Sequence, residues 1–260
     1  MKTLKQSLYD FPRYYDLVYG SHWQAEFHFL KEVFRKHGGR RKTKTVFEPA
    51  CGTARLLVRF AKEGYGTVGL DLNSKAVAYA NARLKRHAQR ETVFVADMAD
   101  FKLARPADVA FNTINSFRHL QTEPEARDHL RCMAEAIVPG GLYVLGMHLT
   151  PTEAEPMEEE RWSGQRGHLA VQTTVRTVSR DLKSRREHCR MTVDVQSLTD
   201  TFRIVNDLIF RMYTARQMEK LIASVPQWDV VETYDFAYDV KEPIEIGPEI
   251  EDVIYVLRRK

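Results

Sequence analysis

Val46-Phe47-Glu48-Pro49-Ala50-Cys51-Gly52-Thr53-Ala54-Arg55 is the stretch from which the rest of the chain can be read. A short β-rich run enters a turn of small residues and then a helical period, so backbone N–H groups at the helix start face whatever negative group sits there. Small side chains also let a ligand approach the main chain. Nineteen residues after Gly52, at the end of the next β-rich run, stands Asp71, a carboxylate placed to accept hydrogen bonds from both hydroxyls of a ribose. A dinucleotide fingerprint needs glycine three residues after its middle glycine, where helix and strand pack closely. Here that position is Arg55, which disfavours a nicotinamide cofactor.

Outward from this stretch, Thr43 to His148 alternates short β-rich runs with helical periods, the pattern of βαβ units and a parallel sheet. The runs are Thr45 to Glu48, Thr67 to Asp71, Val93 to Ala96, Asp108 to Asn112 and Leu142 to Met147, which predicts five parallel strands. Helices are expected over Ala54 to Glu63, over Ser74 to Arg86 with Asn73 as N-cap, and over Glu123 to Ile137. The last opens on a Thr122/Glu125 capping box, carries a buried stripe of Ala126, Leu130, Met133, Ala134 and Ile137, and stops at Pro139-Gly140-Gly141.

Residues 1–40 read as a helical cap, with Trp23, Phe27, Leu30 and Phe34 on one helix face and Gly38-Gly39 as its stop. Residues 41–150 form the parallel core, and 151–213 an insertion. Within the insertion Pro151 to Arg161 is acidic and aperiodic, a loop. Three alternating runs follow, Leu169 to Val175, Cys189 to Val195 and Phe202 to Met212, which predict a three-stranded antiparallel insertion. Residues 214–260 supply a helix, opened by a Thr214/Gln217 capping box and ending near Ser224, and a closing hairpin from Trp228 to Tyr238 and Val253 to Leu257. The fold class is therefore α/β, a doubly wound seven-stranded sheet with additions at both ends.

Composition narrows the function classes. The 260 residues are 43% hydrophobic and 28% charged, ordinary for a globular chain and against disorder. No apolar run approaches the roughly 18 to 20 residues that span a bilayer. Met1 to Asp10 lacks an apolar leader segment, so a cytoplasmic location is expected. Cys51, Cys132 and Cys189 lie far apart without metal-like spacing, so neither a disulfide framework nor a metal is signalled. Lys and Arg total 39 against 35 Asp and Glu, a net charge of +4 that gives little drive toward a polyanion. Basic runs at Arg35 to Lys44 and Arg185 to Arg190, and acidic ones at Glu153 to Glu160 and Glu242 to Asp252, read as solvated faces.

Glu48-Pro-Ala-Cys-Gly-Thr-Ala54 followed by Gly69-Leu-Asp-Leu-Asn73 resembles motifs I and II of the class I S-adenosylmethionine-dependent methyltransferases, with their Rossmann-like sheet. The resemblance continues with Ala96-Asp97-Met98, Asn115-Ser116-Phe117-Arg118-His119-Leu120 and Pro139-Gly140-Gly141. It implies S-adenosyl-L-methionine as cofactor. It also implies that Glu48 organises the amino end of the methionine, the backbone at Ala50 and Gly52 passes close to it, and Asp71 holds the ribose. Leu72 would lie on the adenine, Asp97 would accept the adenine amino group, Met98 would add a backbone contact and a soft wall, and Asn112 would meet the sulfonium side. The family usually has glycine where this chain has Ala54. Tyr14-Tyr15-Asp16-Leu17-Val18-Tyr19 is similar to a cap motif of small-molecule methyltransferases, in which a tyrosine covers the cofactor; Tyr15 and Tyr19 are the candidates, Tyr15 also for catalysis.

Methyl transfer from a sulfonium is an in-line displacement in which positioning can supply on the order of 7–11 kcal/mol, so a general base is optional. An amine acceptor must be neutral when it attacks, and His119, on the loop facing the acceptor pocket in related enzymes, is the expected proton-transfer residue. His148 is second. The antiparallel insertion is similar to that of amino-sugar N,N-dimethyltransferases, where it roofs the acceptor site or forms a dimer face. Trp162, Arg176, Arg190 and Arg211 are candidates for reading an anionic or aromatic acceptor, or else solvated strand residues. The expectation is methylation of a small molecule, at nitrogen rather than oxygen on the strength of resemblance alone. The rivals are a nucleic-acid methyltransferase and a non-catalytic cofactor-binding domain. The first is disfavoured because the fourth strand ends in Asn112-Thr113-Ile114-Asn115 rather than an Asn-Pro-Pro-Tyr type tetrapeptide.

Overall fold

The computed structural model describes residues 1–21, 23–39 and 43–260. Arg40, Arg41 and Lys42 of the first basic run lie outside the described residues. In chain order the elements are β1 (Lys2–Lys5), α1 (Pro12–Tyr19), α2 (Gln24–His37), β2 (Thr45–Glu48), α3 (Leu57–Lys62), β3 (Gly66–Asp71), α4 (Ser74–Arg86), β4 (Val93–Val95) and β5 (Ala107–Asn112). They continue with α5 (Glu123–Ala136), β6 (Ile137–His148), β7 (Glu159–Arg166), β8 (Leu169–Asp181), β9 (Arg186–Gln196), β10 (Thr201–Arg211), α6 (Ala215–Ala223), β11 (Trp228–Tyr234) and β12 (Asp252–Arg259).

The main sheet has seven strands in the order β11-β12-β6-β5-β2-β3-β4. β2 pairs in parallel with both β3 and β5, so the chain winds outward in opposite directions from the β2/β5 boundary. That boundary is the switch point beside which open α/β sheets bind ligands, at the carboxyl ends of the strands. One face is covered by α5 and α6, where Leu130, Met133 and Leu221 meet Tyr143 and Leu145. The other is covered by α2, α3 and α4, where Phe29, Leu30, Leu57 and Ala80 meet Val46 and Phe111. The sheet is therefore doubly wound, and β12, antiparallel to β6, closes it with β11 as expected.

Both capping boxes form: Thr122 accepts from Glu125 N–H, and Thr214 from Gln217 N–H. Asn73 caps α4 by accepting from the N–H groups of Lys75 and Ala76. The helix expected from Ala54 begins only at Leu57. Ala54 has φ +54°, in the left-handed region that an α-helix excludes, so the chain makes further turns before it can coil.

The insertion differs from the three strands read out of the alternation. It contributes four, because β7 occupies the end of the acidic stretch taken as loop, and β1 adds a fifth by pairing in parallel with β10. Neither edge strand alternates cleanly: Lys2–Lys5 is mostly exposed and Glu159–Arg166 mixes charged and half-buried positions. The inner face of this second sheet buries Val171, Met191, Val193 and Ile204 against Leu8, Leu17 and Val18 of the N-terminal segment. The cap is therefore split. Residues 2–19 belong to the inserted sheet, while α2 belongs to the main core.

Candidate active site

The turn after β2 is held open by its backbone. Ala50, Gly52 and Ala54 all have φ between +50° and +54°, alternating with ordinary residues, and Cys51 N–H donates to Leu70 O at 2.9 Å. Asp71 locks this turn to the end of β3. Its Oδ2 accepts from Gly52 N–H and its Oδ1 from Asn73 N–H, each at 2.8 Å. Burial raises the Asp71 carboxyl, and these two bonds oppose the rise.

A cavity of about 710 Å³ opens between the switch point and the inserted sheet. Of the residues expected to hold the cofactor, Tyr15, Tyr19, Ala50, Gly52 and Asp71 line it, as do Leu72, Asp97 and Met98. Glu48 and Asn112 line a small recess that shares Tyr15 and Ala50 with it. The recess holds unpaired acceptors: Glu48 Oε2 and Asn112 Oδ1 are buried without a hydrogen-bond partner. Asn112 Nδ2 meanwhile donates to Pro49 O at 2.8 Å. Burial lifts the Glu48 carboxyl well above its usual range, against the pull of Arg55. At the opposite end, Leu72 leaves its apolar side chain 72% exposed on the lip. Asp97 Oδ1 accepts from Ala99 N–H at 2.8 Å.

Aromatic rings form the wall facing this turn. Tyr9 and Tyr15 have centroids 5.9 Å apart, Tyr15 and Tyr19 4.7 Å, and Tyr19 and Trp162 5.4 Å, so the rings run from the N-terminal segment to β7. Burial pushes Tyr15 up to about 12 and raises Tyr9 and Tyr19 as well, so at neutral pH all three are hydrogen-bond donors rather than bases. α1, which carries Tyr15 and Tyr19, is fastened by buried Asp16, which accepts from Arg83 Nη2 at 2.7 Å, Thr53 Oγ1 at 3.2 Å and Tyr79 OH at 3.2 Å.

His119 lines the cavity too, 2.9 Å through Nε2 from Tyr9 OH and with its ring 5.0 Å from Phe210. Burial, with Arg118 adjacent, lowers it to about 4. That value lies below the near-neutral one expected of it. His119 is an uncharged imidazole hydrogen-bonded through Nε2 to Tyr9 OH. Its loop is anchored by buried Arg118, which donates to Glu187 Oε2 at 2.5 Å and to Arg211 O at 3.0 Å. His148 has the opposite character. Burial lowers it, but Asp252 at 2.7 Å and Glu160 at 3.2 Å outweigh that and lift it to about 9.

Residues 46–141 match the methyltransferase domain family. Over 134 residues the chain is 30% identical to the dTDP-3-amino-3,4,6-trideoxy-alpha-D-glucopyranose N,N-dimethyltransferase of Streptomyces venezuelae, covering 50% of this chain and 54% of that protein. A second such enzyme, the dTDP-3-amino-3,6-dideoxy-alpha-D-glucopyranose N,N-dimethyltransferase of Streptomyces fradiae, is 29% identical over 135 residues, covering 50% of each. The chain spans about half the length of the curated relatives it matches. Among solved structures, an S-adenosylmethionine-dependent methyltransferase from Clostridium acetobutylicum superposes with a TM-score of 0.78 at 14% identity, covering 96% of this chain and 97% of that one. Streptomyces venezuelae DesVI gives 0.77 at 19% identity, covering 99% and 100%. Residues 46–141 are thus similar to methyltransferase domains, and the chain shares the fold of solved S-adenosylmethionine-dependent methyltransferases.

Two features of this core escaped the sequence reading. Tyr9 lies in a segment without a motif, and only the fold brings it to His119 across 110 residues. Arg55, weighed only as an obstacle to dinucleotides, lines the recess beside Glu48 and is clamped by Glu26 of α2 at 2.5 and 2.7 Å. Trp162 lines the cavity, but the three arginines considered with it do not. Arg176 pairs with Glu159, Arg190 with Asp207, and Arg211 donates to Gln121 O. Among the described residues no helix is long and apolar enough to cross a membrane.

Proposed function

We propose that this protein transfers the methyl of S-adenosylmethionine to a nitrogen of a small molecule bound beneath the inserted sheet. The observation that carries the reading is the pair of buried, unpartnered acceptors, Glu48 Oε2 and Asn112 Oδ1, in a recess continuous with the wall that carries Asp71. An unpaired buried acceptor costs roughly 1–3 kcal/mol, which an ammonium donor would recover. The α-ammonium of a methionine is such a donor, so the residues fit the group.

Glu48 and Asn112 would take that ammonium, and Asp71, already oriented by Gly52 and Asn73, would keep lone pairs for the ribose hydroxyls. Leu72, Asp97 and Met98 would flank the base, with Met98 O held by His129 at 2.8 Å. Tyr15 and Tyr19 would cover the ligand and exclude water. When bound, S-adenosylmethionine supplies a methyl on a sulfonium, a good leaving group that needs no metal. The protein's work is then to hold the acceptor lone pair in line, for which Tyr9, His119 and Phe210 form one side of the cavity. His119, uncharged, would position the acceptor through the Tyr9 bond. Nitrogen is supported by the relatives, whose names specify N,N-dimethyl transfer to amino sugars.

The test is a radiolabelled-methyl assay with S-adenosylmethionine against a pool of small-molecule amines and alcohols, followed by mass spectrometry of the labelled product. N-methylated product is expected. Label found only on oxygen or on RNA would refute the reading.

A further inference from the structure

The cavity divides into two halves of different chemistry. The half at the carboxyl ends of β2 and β3 is the cofactor side proposed above. The other is walled by Tyr19, Trp162, Val175, Met191 and Phe210, with Glu160 and His148 at its edge. The cavity lining contains the carboxylates Asp71, Asp97, Glu125 and Glu160, and among the described residues no Lys or Arg reaches it. The arginines of the neighbouring strands are bound elsewhere: Arg161 and Arg176 to Glu159, Arg180 to Glu187, and Arg190 to Asp207.

A phosphate needs Arg, Lys or a cluster of backbone N–H groups, and among the described side chains this half offers only His148, whose charge Glu160 and Asp252 already take up. An ammonium needs a carboxylate and gains further from the faces of aromatic rings. Both are here. Glu160 meets His148 Nε2 through Oε1 at 3.2 Å. Asp252 claims the other nitrogen of His148, so two carboxylates flank one imidazole and the group retains negative charge. Tyr19 and Trp162 stand beside it as a tilted pair, centroids 5.4 Å apart.

Resting on the methyltransferase reading, we propose that the acceptor half selects an amine that arrives as its ammonium, held by Glu160 against Tyr19 and Trp162, and gives up that proton to solvent before its lone pair attacks the methyl, and that it rejects acceptors carrying a phosphate or diphosphate. Val175, Met191 and Phe210 would cover the apolar body of such an amine. Glu160 is a specificity-determining residue in this account.

The test uses a matched pair of probes, 2-phenylethylammonium and 2-phenylethyl phosphate, titrated calorimetrically at pH 7.5 into the full chain saturated with S-adenosylhomocysteine. The ammonium is expected to bind at least tenfold more tightly than the phosphate, and Glu160→Gln to remove at least tenfold of that affinity. Trp162→Ala, which leaves the carboxylate in place, is expected to weaken both ammonium binding and its margin over the phosphate. The phosphate binding as tightly as the ammonium, neither probe binding, or Glu160→Gln leaving ammonium affinity unchanged would each overturn the proposal while the cofactor site stands. Failure of S-adenosylhomocysteine itself to bind would overturn the methyltransferase reading and this inference with it.

Discussion

The hydroxyl of Tyr9 and Nε2 of His119 lie 2.9 Å apart, a hydrogen bond that joins the segment before α1 to the loop after β5. Burial keeps the phenol protonated and the imidazole uncharged, and the bond between them fixes the ring orientation of His119. Tyr9→Phe is expected to reduce kcat about tenfold, equivalent to ~1.4 kcal/mol of lost positioning, with cofactor affinity unchanged. His119→Ala should reduce it similarly, and the double variant no further. Additive losses in single-turnover rates would show that the two act separately.

Ala54 places a side chain at φ +54°, a conformation that costs an L-residue roughly 1–2 kcal/mol. Ala54→Gly relieves that strain but gives back about 0.5–1 kcal/mol in chain entropy. The expected result is a gain of about 0.5–1 kcal/mol in urea unfolding. A destabilised variant would mean that the methyl, fully buried here, contributes more by packing than it costs in strain.

His148 has its folded-state value raised from 6.5 to about 9 by Asp252 and Glu160, against its own desolvation, with Glu251 close by. A raised value means the folded protein binds the proton more tightly than the unfolded chain. The contribution is complete below about pH 6.5 and is lost as pH rises through about 9, an amount on the order of 3 kcal/mol. Denaturant midpoints measured from pH 6 to 10 should fall accordingly, and His148→Gln should flatten that part of the profile.

Asp16 and Arg83 form a buried pair, 2.6 Å apart, that fastens α1 to α4. Asp16→Ala strands the guanidinium and is expected to cost about 3–5 kcal/mol. It should also raise the Kd for S-adenosylmethionine, because Tyr15 and Tyr19 ride on α1. Asp16→Asn should recover part of both losses. An unfolding midpoint unchanged in Asp16→Ala would remove this pair from the account.

The parallel core was legible because each of its signals is local. Asn73 as an N-cap and the Thr122/Glu125 and Thr214/Gln217 boxes all work within a few residues, and each forms as read. The edge strands β1 and β7 were not legible, because an edge exposes both faces and alternation disappears. The start of α3 was misplaced because the left-handed turn at Ala54 carries no glycine to announce it. The protonation state of His119 depends on its burial in the fold, and that of His148 on Asp252 and Glu160, 104 and 12 residues away, which spacing alone does not reveal.

The most direct measurement of the central claim is a calorimetric titration of S-adenosylmethionine into the wild-type chain and Asp71→Ala, with circular dichroism to show that the variant is folded. If the donor sits across the β2 and β3 ends, its hydroxyls lose their acceptor and binding weakens by about 2–4 kcal/mol. A folded Asp71→Ala protein that binds with wild-type affinity would contradict the account.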